Sequence, residues 1–325
     1  MRKHWHVALA ALALGACALA PAALAQAWPA KPVRMIVVFP PGGSTDQVGR
    51  VLAAQLTTQL GQQFVVENKG GASGAIGAAA VAQSAPDGYT FGVVFDTHGV
   101  NPSLIPNIAF DTTKDLASVM LVGTSPMAIV THASQPYRDF RDLLAAAKAK
   151  PGSVAFGSIG SGSLGHLAMT QIGNQLGIEF NHIPYRGGGP LMTDAVGGQV
   201  PVAIGTVFLV NPHVKGGKLR ALAVTSAKPS PQMPGVGTVA DQGVPGFSAL
   251  SWWGIIAPAA TPSPIIKRMH DELAKALGNP AVAEKLTAQG MDIVGGSPQE
   301  MDAFLKAEIA RWAKVVKDNR IKAGD

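Results

Sequence analysis

The chain of 325 residues contains a single cysteine, Cys17, and only 14% of its residues are charged. One thiol can form neither an intramolecular disulfide nor a cysteine-rich metal site, so the fold has to depend on its hydrophobic core. The 26 lysines and arginines are scattered and form no basic run interleaved with aromatic residues. We therefore expect no nucleic-acid partner. The formal net charge of +6 is mild and compatible with the attraction of small anions.

One long uncharged run stands at the N-terminus. Two basic residues precede an alanine- and leucine-rich segment, residues 7–25, which ends in the small-residue pattern Ala23-Leu24-Ala25. This arrangement predicts a signal peptide over residues 1–25, cleavage after Ala25 and export to the periplasm. Pro21 interrupts the run, and a membrane-spanning helix needs about 20 strongly apolar residues, so a retained anchor is disfavoured.

The same segment has a second interpretation. Leu14-Gly15-Ala16-Cys17 resembles a lipoprotein signal, which would leave Cys17 lipidated at the N-terminus. The A-x-A site and the polar start of the following chain fit ordinary secretion better. After cleavage at Ala25, about 300 residues remain, which is enough for two domains of ordinary size.

Motifs for the common cofactors are missing or incomplete. The chain has no G-x-x-x-x-G-K-[ST] phosphate loop, and its histidines show no metal-ligand spacing such as H-x-x-x-H. Gly160–Gly165 matches the dinucleotide pattern G-x-G-x-x-G, but the next predicted strand ends in Ile183-Pro184-Tyr185. An acidic residue would be needed there to bind a ribose. We therefore expect no cofactor and no metal.

The most informative stretch is an apolar strand followed by a glycine-rich turn. Residues 33–39 are rich in β-branched side chains, and Pro40–Gly43 ends the run. Ser44, Thr45 and Asp46 follow as candidate N-caps of a helix. Free backbone N–H groups and the helix dipole at such a turn favour an anion. The alternative is an ordinary strand-to-helix turn with no ligand.

The order strand, glycine-rich loop and helix recurs along the chain. Loops at 68–74 and 96–101 follow the second and third predicted strands, and loops at 159–166 and 185–190 follow later ones. This alternation predicts an α/β fold built on mainly parallel sheets with helices on both faces. Ligands of such sheets bind at the carboxyl ends of the strands.

The two series of strands and helices predict two lobes. The first lobe would comprise residues 26–130 and 250–325, and the second lobe residues 131–249. Trp252 and Trp253 lie in a predicted strand, where neighbouring side chains face opposite sides. At most one of them should therefore reach a cleft, and we favour one in the core and one at the seam between domains.

A secreted serine hydrolase is the alternative from another functional class. It would use Ser161 or Ser163 as nucleophile and His166 as base. Neither serine completes the G-x-S-x-G pattern of a nucleophile elbow, since Ile159 and Ser161 occupy the positions two residues before them.

Several longer stretches match one known family. They are Trp28–Arg34, Phe39–Asp46, Val66–Ala72, Pro86–Thr90, Asn101–Leu104, Gly157–Ser163 with His166, His182–Pro190, Gly216–Val224 and Trp253–Pro258. Across them the chain resembles the Bug family, the extracytoplasmic solute receptors of tripartite tricarboxylate transporters. No single stretch is specific, but the set runs through the mature chain and is highly specific as a whole.

The resemblance implies a two-lobed periplasmic binding protein, type II-like, which acts as a monomer and closes on a small carboxylate or amino-acid-like ligand. The implied partners are two membrane subunits of a transporter. The ligand would lie between the lobes, held by backbone N–H groups and hydroxyls. The expected ligand-binding residues are Pro41, Gly42, Gly43, Ser44, Thr45, Asp46, Asp96, Thr97, His98, Ser158, Gly160, Ser161, Gly162, Ser163, His166, Tyr185, Arg186 and Thr206.

Two positions depart from the family pattern. Gly205 stands where many relatives carry Asp, and Asp96 stands where small or hydroxyl residues are usual. If Asp96 faces the cleft, it would repel a second carboxylate and favour an ammonium or amide. The hypothesis is then a ligand with one carboxylate and a polar or cationic far end.

Overall fold

The computed structural model describes residues 28–319 and residue 321. Its strands are β1 (Val33–Val37), β2 (Phe64–Asn68), β3 (Thr90–Phe95), β4 (Leu116–His132), β5 (Ala155–Ser158), β6 (Asn181–Pro184), β7 (Val202–Thr206), β8 (Leu219–Val224), β9 (Leu250–Pro258) and β10 (Asp292–Gly296). Its helices are α1 (Ser44–Leu60), α2 (Ala75–Ala82), α3 (Thr97–Leu104), α4 (Phe140–Ala149), α5 (Leu164–Leu176), α6 (Gly188–Val196), α7 (Val207–Lys215), α8 (Ser263–Gly278), α9 (Pro280–Thr287) and α10 (Pro298–Asp318). No helix in the described part of the chain has the length and apolar character that a membrane crossing requires.

The strands form two connected sheets that share β4. The first sheet has the order β2-β1-β3-β9-β4, with β10 on the other side of β4. The second sheet has the order β8-β4-β7-β5-β6. In each sheet three strands are parallel, β1 with β2 and β3 in the first and β5 with β6 and β7 in the second, whereas every pair involving β4 or β9 is antiparallel. The predicted α/β class is confirmed, although each sheet is mixed instead of mainly parallel.

Strand β4 is much longer than the sequence predicts. The apolar residues Met127–Thr131 by themselves predict a short strand. In the structure β4 covers 17 residues, and its first part pairs with β9 and its last part with β7 and β8. Almost all of its residues are buried, so no alternation of polar and apolar side chains marks its beginning. One continuous strand therefore links the two sheets.

The hydrophobic core has two clusters, and β4 contributes residues to both. The larger cluster joins residues of the first sheet to residues of β7, β8, α6 and α7. The two tryptophans of β9 are 0% exposed. The ring of Trp253 lies 5.4 Å from those of Phe95, at the end of β3, and Phe208, in α7. Trp253 therefore packs between elements of the two sheets, and Trp252 packs 5.4 Å from Phe304 of α10. Neither ring lines a cleft.

The first helix, α1, begins at Ser44, so its N-cap lies before all three predicted candidates, Ser44, Thr45 and Asp46. Gly43 is its N-cap residue, with extended backbone and no side-chain cap, so Ser44, Thr45 and Asp46 form the first turn. Gly61 ends the helix in the left-handed conformation that glycine adopts without a steric penalty.

Candidate ligand-binding site between the two sheets

A cleft lies between the two sheets, at the carboxyl ends of β1, β2, β5 and β6. Its wider part, the outer cavity, has a volume of about 640 Å³. The outer cavity is lined by Phe39, Pro40, Pro41, Asn68, Gly70, Gly71, Ala72, Ser73, Ile159, Gly160, Ser161, Pro184, Tyr185 and Arg186. Five predicted site residues are among them: Pro41, Gly160, Ser161, Tyr185 and Arg186.

A small inner pocket of about 10 Å³ adjoins the outer cavity and shares Phe39 and Ile159 with it. The inner pocket is also lined by Gly43, Ser44, Thr45, Phe95, Met127, Gly188, Gly205, Thr206 and Leu209. Four predicted site residues thus meet here: Gly43, Ser44, Thr45 and Thr206. Ser44 and Ser161, which come from the two different sheets, face connected cavities.

Three helix N-termini converge on the inner pocket. Ser44 and Thr45 open α1, Gly188 opens α6, and Thr206 is the N-cap of α7. The first N–H groups of a helix lack intrahelical partners and carry the positive end of its dipole. The lining side chains are hydroxyl or apolar, and none is acidic. This arrangement is suited to an anion that is held by neutral donors.

The two sides of the cleft touch through glycine. A methyl group added at Gly189 would lie 2.6 Å from the carbonyl oxygen of Pro41, and one added at Gly188 would lie 3.2 Å from the Cα atom of Gly43. Gly42 has φ +84°, in the left-handed region, and its added methyl group would lie 3.7 Å from the Cα atom of Gly189. The backbones approach this closely because no side chain separates them.

Asp46 was expected to contact the ligand, but its carboxylate is turned to the protein. It accepts hydrogen bonds from the N–H of Gly42 at 3.0 Å, from Asn68 Nδ2 at 2.8 Å and from Arg50 Nε at 3.0 Å. Burial acts to raise the pKa of Asp46, but the bonds from Arg50, Gly42 and Asn68 outweigh it and lower the pKa. Asp46 therefore fixes the Pro40–Gly43 turn, and it does not line either cavity.

Asp96 is likewise away from the cleft, so the premise that it faces the ligand is wrong. It is 1% exposed, and neither carboxylate oxygen has a hydrogen-bond partner of good geometry among the described residues. Burial raises its pKa to about 7; the Ser251 hydroxyl and the N–H groups of Leu164 and Thr97 act in the opposite direction, while the charge of Glu308 adds to the rise.

Thr97 and His98 begin α3 and are also buried outside both cavities. The His98 ring stacks on Phe110 at 6.4 Å, and burial lowers the pKa of His98 to about 4. Sequence reasoning placed the 96–98 group in the site because it follows a strand of the sheet. Only the preceding residue, Phe95, reaches the inner pocket.

The serines and histidines of the second sheet form a compact buried cluster beside the outer cavity. Ser158 Oγ lies 2.8 Å from His182 Nε2, and Ser163 donates to Ser158 Oγ at 3.2 Å. Ser163 also accepts from the N–H of His166 as the N-cap of α5. The Gly162 N–H donates to His166 Nδ1 at 3.0 Å. Ser158, Ser163 and His166 are at most 5% exposed, so the cluster supports the Gly160–Ser163 loop from behind.

Of the described residues that line the outer cavity, Arg186 alone carries a charged side chain. Its neighbour Tyr185 donates its hydroxyl to Asp194 at 2.9 Å, and burial together with Asp194 raises the pKa of Tyr185 to about 12. Tyr185 therefore offers the cavity its ring, and Arg186 offers a positive charge at the rim.

Two polar residues of the first sheet were missed as site residues. Asn68 and Ser73 both line the outer cavity. The glycine-rich loop at 68–74 was recognised as part of the same sheet edge, and its position after β2 was the signal that pointed to them. Among the described residues, no group of three or more His, Cys, Asp and Glu side chains is arranged to hold a metal ion.

Comparison with known proteins gives the same family as the resemblance. Residues 48–321 match the family model described as the tripartite tricarboxylate transporter family receptor. The chain is 40% identical over 300 residues to protein BugT of Bordetella pertussis, and the match covers 92% of each chain.

Solved structures agree with this assignment. The structure of the periplasmic binding protein BugD superimposes with a TM-score of 0.87 at 32% identity, covering 91% of this chain and 100% of BugD. The structure of R. palustris Rpa4515 with adipate also gives a TM-score of 0.87, at 34% identity, covering 91% of this chain and 99% of that one. The chain therefore belongs to the tripartite tricarboxylate transporter receptor family, whose members are periplasmic solute-binding receptors.

Proposed function

We propose that this receptor captures a small carboxylate-bearing metabolite between two lobes and presents it to the membrane subunits of a tripartite tricarboxylate-type transporter. The observation that carries the proposal is the convergence of the α1, α6 and α7 N-termini on the inner pocket. Residues 26–130 and 250–325 would form the first lobe, and residues 131–249 the second. Ligand binding would favour the closed arrangement, because only there do both lobes donate to one anion.

The proposed binding mode places the carboxylate in the inner pocket. The hydroxyls of Ser44, Thr45 and Thr206 and the backbone N–H groups at the helix starts would be its donors. At about 10 Å³ the pocket has room for roughly one water molecule. The lobes must therefore separate to admit a carboxylate and close again around it.

The rest of the ligand would occupy the outer cavity, where Arg186 provides a positive charge. Because Asp96 does not reach the cleft, we no longer expect a cationic far end and propose an anionic or polar one. The adipate bound to the relative Rpa4515 is a molecule of this kind, with a carboxylate at each end.

We propose that the chain has no catalytic activity. A hydrolytic serine must reach its substrate, whereas Ser158 and Ser163 are 0% and 1% exposed and bond within the protein. Ser161 lines the outer cavity, so of the two candidate nucleophiles it is the one that a substrate could reach. The test is to measure substrate hydrolysis by the receptor. Ester and amide substrates incubated with the receptor should give no product.

The proposed location is the periplasm, with cleavage after Ala25 and a monomeric mature protein. Both Ala25 and Cys17 lie outside the described residues, so export by simple cleavage and lipidation at Cys17 stay alternatives. The intact mass of the exported protein distinguishes them, because a lipidated chain would begin at residue 17.

Calorimetric titration tests the binding mode. Protein that has been unfolded and refolded, to remove co-purified ligand, is titrated with adipate and with monocarboxylates of similar length. Thr206→Val removes one donor to the anion and should weaken binding by about 10- to 150-fold, since a hydrogen bond to a charged group contributes about 1.5–3 kcal/mol. Thr206→Ser keeps the hydroxyl and is the matched control.

Arg186 is tested in the same titrations. Arg186→Gln should weaken adipate by about 3- to 10-fold and leave the monocarboxylates unchanged, because only the second carboxylate meets the guanidinium. Arg186→Lys keeps the charge as its control. Equal losses in both ligand series would contradict the role of Arg186, and wild-type affinity in Thr206→Val would contradict the inner pocket as the anion site.

A further inference from the structure

The turn Gly71–Gly74, which lines the outer cavity, has an unusual backbone. Ala72 has φ 45° and Ser73 has φ 50°, so two consecutive residues with side chains occupy the left-handed region. The flanking glycines have φ 127° and 88°. Residues other than glycine rarely adopt this conformation because the Cβ atom crowds the carbonyl oxygen, and it persists only where surrounding contacts enforce it.

Contacts on both sides hold Ser73 in this conformation. Its hydroxyl donates to the carbonyl oxygen of Ser161 at 2.7 Å. Its own carbonyl accepts from Asn101 Nδ2 at 3.0 Å. Asn101 is 2% exposed in α3, and therefore anchors the turn to the first lobe, whereas Ser161 belongs to the loop after β5 in the second lobe.

The loop that receives Ser73 is shaped for this approach. A methyl group added at Gly160 would lie 3.4 Å from Ser73 Oγ, and one added at Gly162 would lie 1.8 Å from Cδ2 of Leu104, at the end of α3. Both glycines also have positive φ values, 139° and 74°. Elements of the first lobe thus contact the backbone of the second-lobe loop directly, and separation of the lobes would break these contacts.

We infer that Ser73 is a closing latch of the receptor, a positioning residue whose hydroxyl holds the Gly160–Ser163 loop of the second lobe against the turn of the first. This turn borders the outer cavity, so a ligand that leaves the cleft on this side passes the Ser73–Ser161 contact. The latch therefore slows ligand release without being needed for the first encounter. The inference rests on the proposed function only in assuming that a ligand occupies the cleft.

Hydrogen exchange tests the latch in two conditions, without added carboxylate and with saturating adipate, because the Ser73–Ser161 bond exists only while the lobes are closed. Ser73→Ala should speed exchange in a peptide covering 159–165 by about 3- to 10-fold, the factor expected for loss of one neutral hydrogen bond. Ser73→Gly also removes the hydroxyl but suits the left-handed backbone, so it guards against misfolding of the turn. Ser84→Ala is the matched control, because Ser84 donates to the carbonyl of Ala80 at 2.7 Å on the same lobe.

Stopped-flow kinetics with adipate provide the second measurement. Ser73→Ala and Ser73→Gly should raise the dissociation rate about 3- to 10-fold and leave the association rate within 2-fold of wild type, whereas a general structural loss would not separate the two rates. Unchanged exchange in 159–165 for both variants, both without carboxylate and with saturating adipate, would overturn the latch. If wild-type protein fails to bind adipate while exchange responds as expected, the latch stands and the proposed ligand chemistry is at fault.

Discussion

Asp46 shows how one carboxylate can support a loop of the proposed anion site without lining either cavity. It accepts from the N–H of Gly42, from Asn68 and from Arg50, which ties the Pro40–Gly43 turn to β2 and to the first turn of α1. The sequence does not distinguish an acidic residue that binds a ligand at a helix N-terminus from one that supports the adjoining loop. Only its partners, 22 residues away in the case of Asn68, distinguish the two roles.

Replacing Asp46 should therefore lower the stability of the fold more than it lowers the affinity for ligand. Asp46→Asn loses the charge-assisted bonds to Arg50 and Gly42, and we expect the free energy of unfolding at pH 7 to fall by about 1–3 kcal/mol. Urea unfolding followed by circular dichroism measures it. Because the pKa of Asp46 is lowered in the folded protein, its contribution is present above the unfolded pKa near 4 and is lost as the pH falls below it.

Asp142→Asn is the matched control for that measurement. Asp142 also pairs with an arginine four residues away, Arg138, but the pair is exposed at the surface. Exposed pairs of this kind contribute little to stability. An equal loss of stability in the two variants would contradict the supporting role of Asp46.

The start of α6 makes a close backbone contact with the opposite side of the cleft, on which the proposed closure would depend. Gly188 and Gly189 lie against the Pro41–Gly43 backbone, with no room for a Cβ atom at Gly189. The sequence indicated this loop through its three consecutive glycines, 187–189. It did not indicate that these glycines touch the first loop, because the two loops are separated by more than 140 residues and meet only through the topology of the sheets.

A methyl group at Gly189 should hinder closure. We expect Gly189→Ala to weaken adipate binding at least 10-fold, because the added Cβ atom would lie 2.6 Å from the carbonyl oxygen of Pro41 in the closed arrangement. The melting temperature without ligand should change by no more than a few degrees, since open lobes accommodate the methyl group. Calorimetry and a thermal scan measure the two effects.

Gly278→Ala is the control for the added methyl group. A Cβ atom at Gly278, the last residue of α8, would meet nothing within 4 Å, so adipate affinity should stay at the wild-type value. Wild-type affinity in Gly189→Ala as well would mean that the two loops do not need this close contact.

In the described part of the chain, two buried groups, Asp96 and His98, change the stability of the whole molecule with pH in opposite directions. Burial raises the pKa of Asp96 from 3.8 to about 7 and lowers that of His98 from 6.5 to about 4. For Asp96, the folded state binds more protons than the unfolded state between pH 4 and 7, so its contribution to stability falls as the pH rises. For His98, the unfolded state binds more protons between pH 4 and 6.5, so stability falls as the pH drops.

Between pH 4 and 6.5 the two groups change the free energy of unfolding with pH by similar amounts and in opposite directions. In the wild-type protein their combined contribution should therefore be nearly constant over this range. Asp96→Asn removes one slope, and the variant should lose about 2–4 kcal/mol on acidification from pH 6.5 to 4. His98→Gln should show the opposite trend and lose stability as the pH rises. Urea midpoints measured across this pH range in both variants provide the test; parallel profiles in the two variants would contradict the assignment.

The sequence by itself determined the alternation of strands and helices, the α/β class and the glycine-rich turns, because these features depend on local side-chain patterns. The family resemblance added the expectation that Ser44, Thr45, Ser161 and Arg186 lie at the cleft, and each of them lies in a loop after a strand or in the first turn of a helix. The contacts between distant loops depend on the tertiary structure, because the long strand β4 joins the two sheets and brings their loops together. That packing placed Asp46 and Asp96 outside both cavities, brought Ser73 to Ser161 and joined three helix N-termini in one pocket, because burial and long-range pairing depend on topology and not on neighbouring residues.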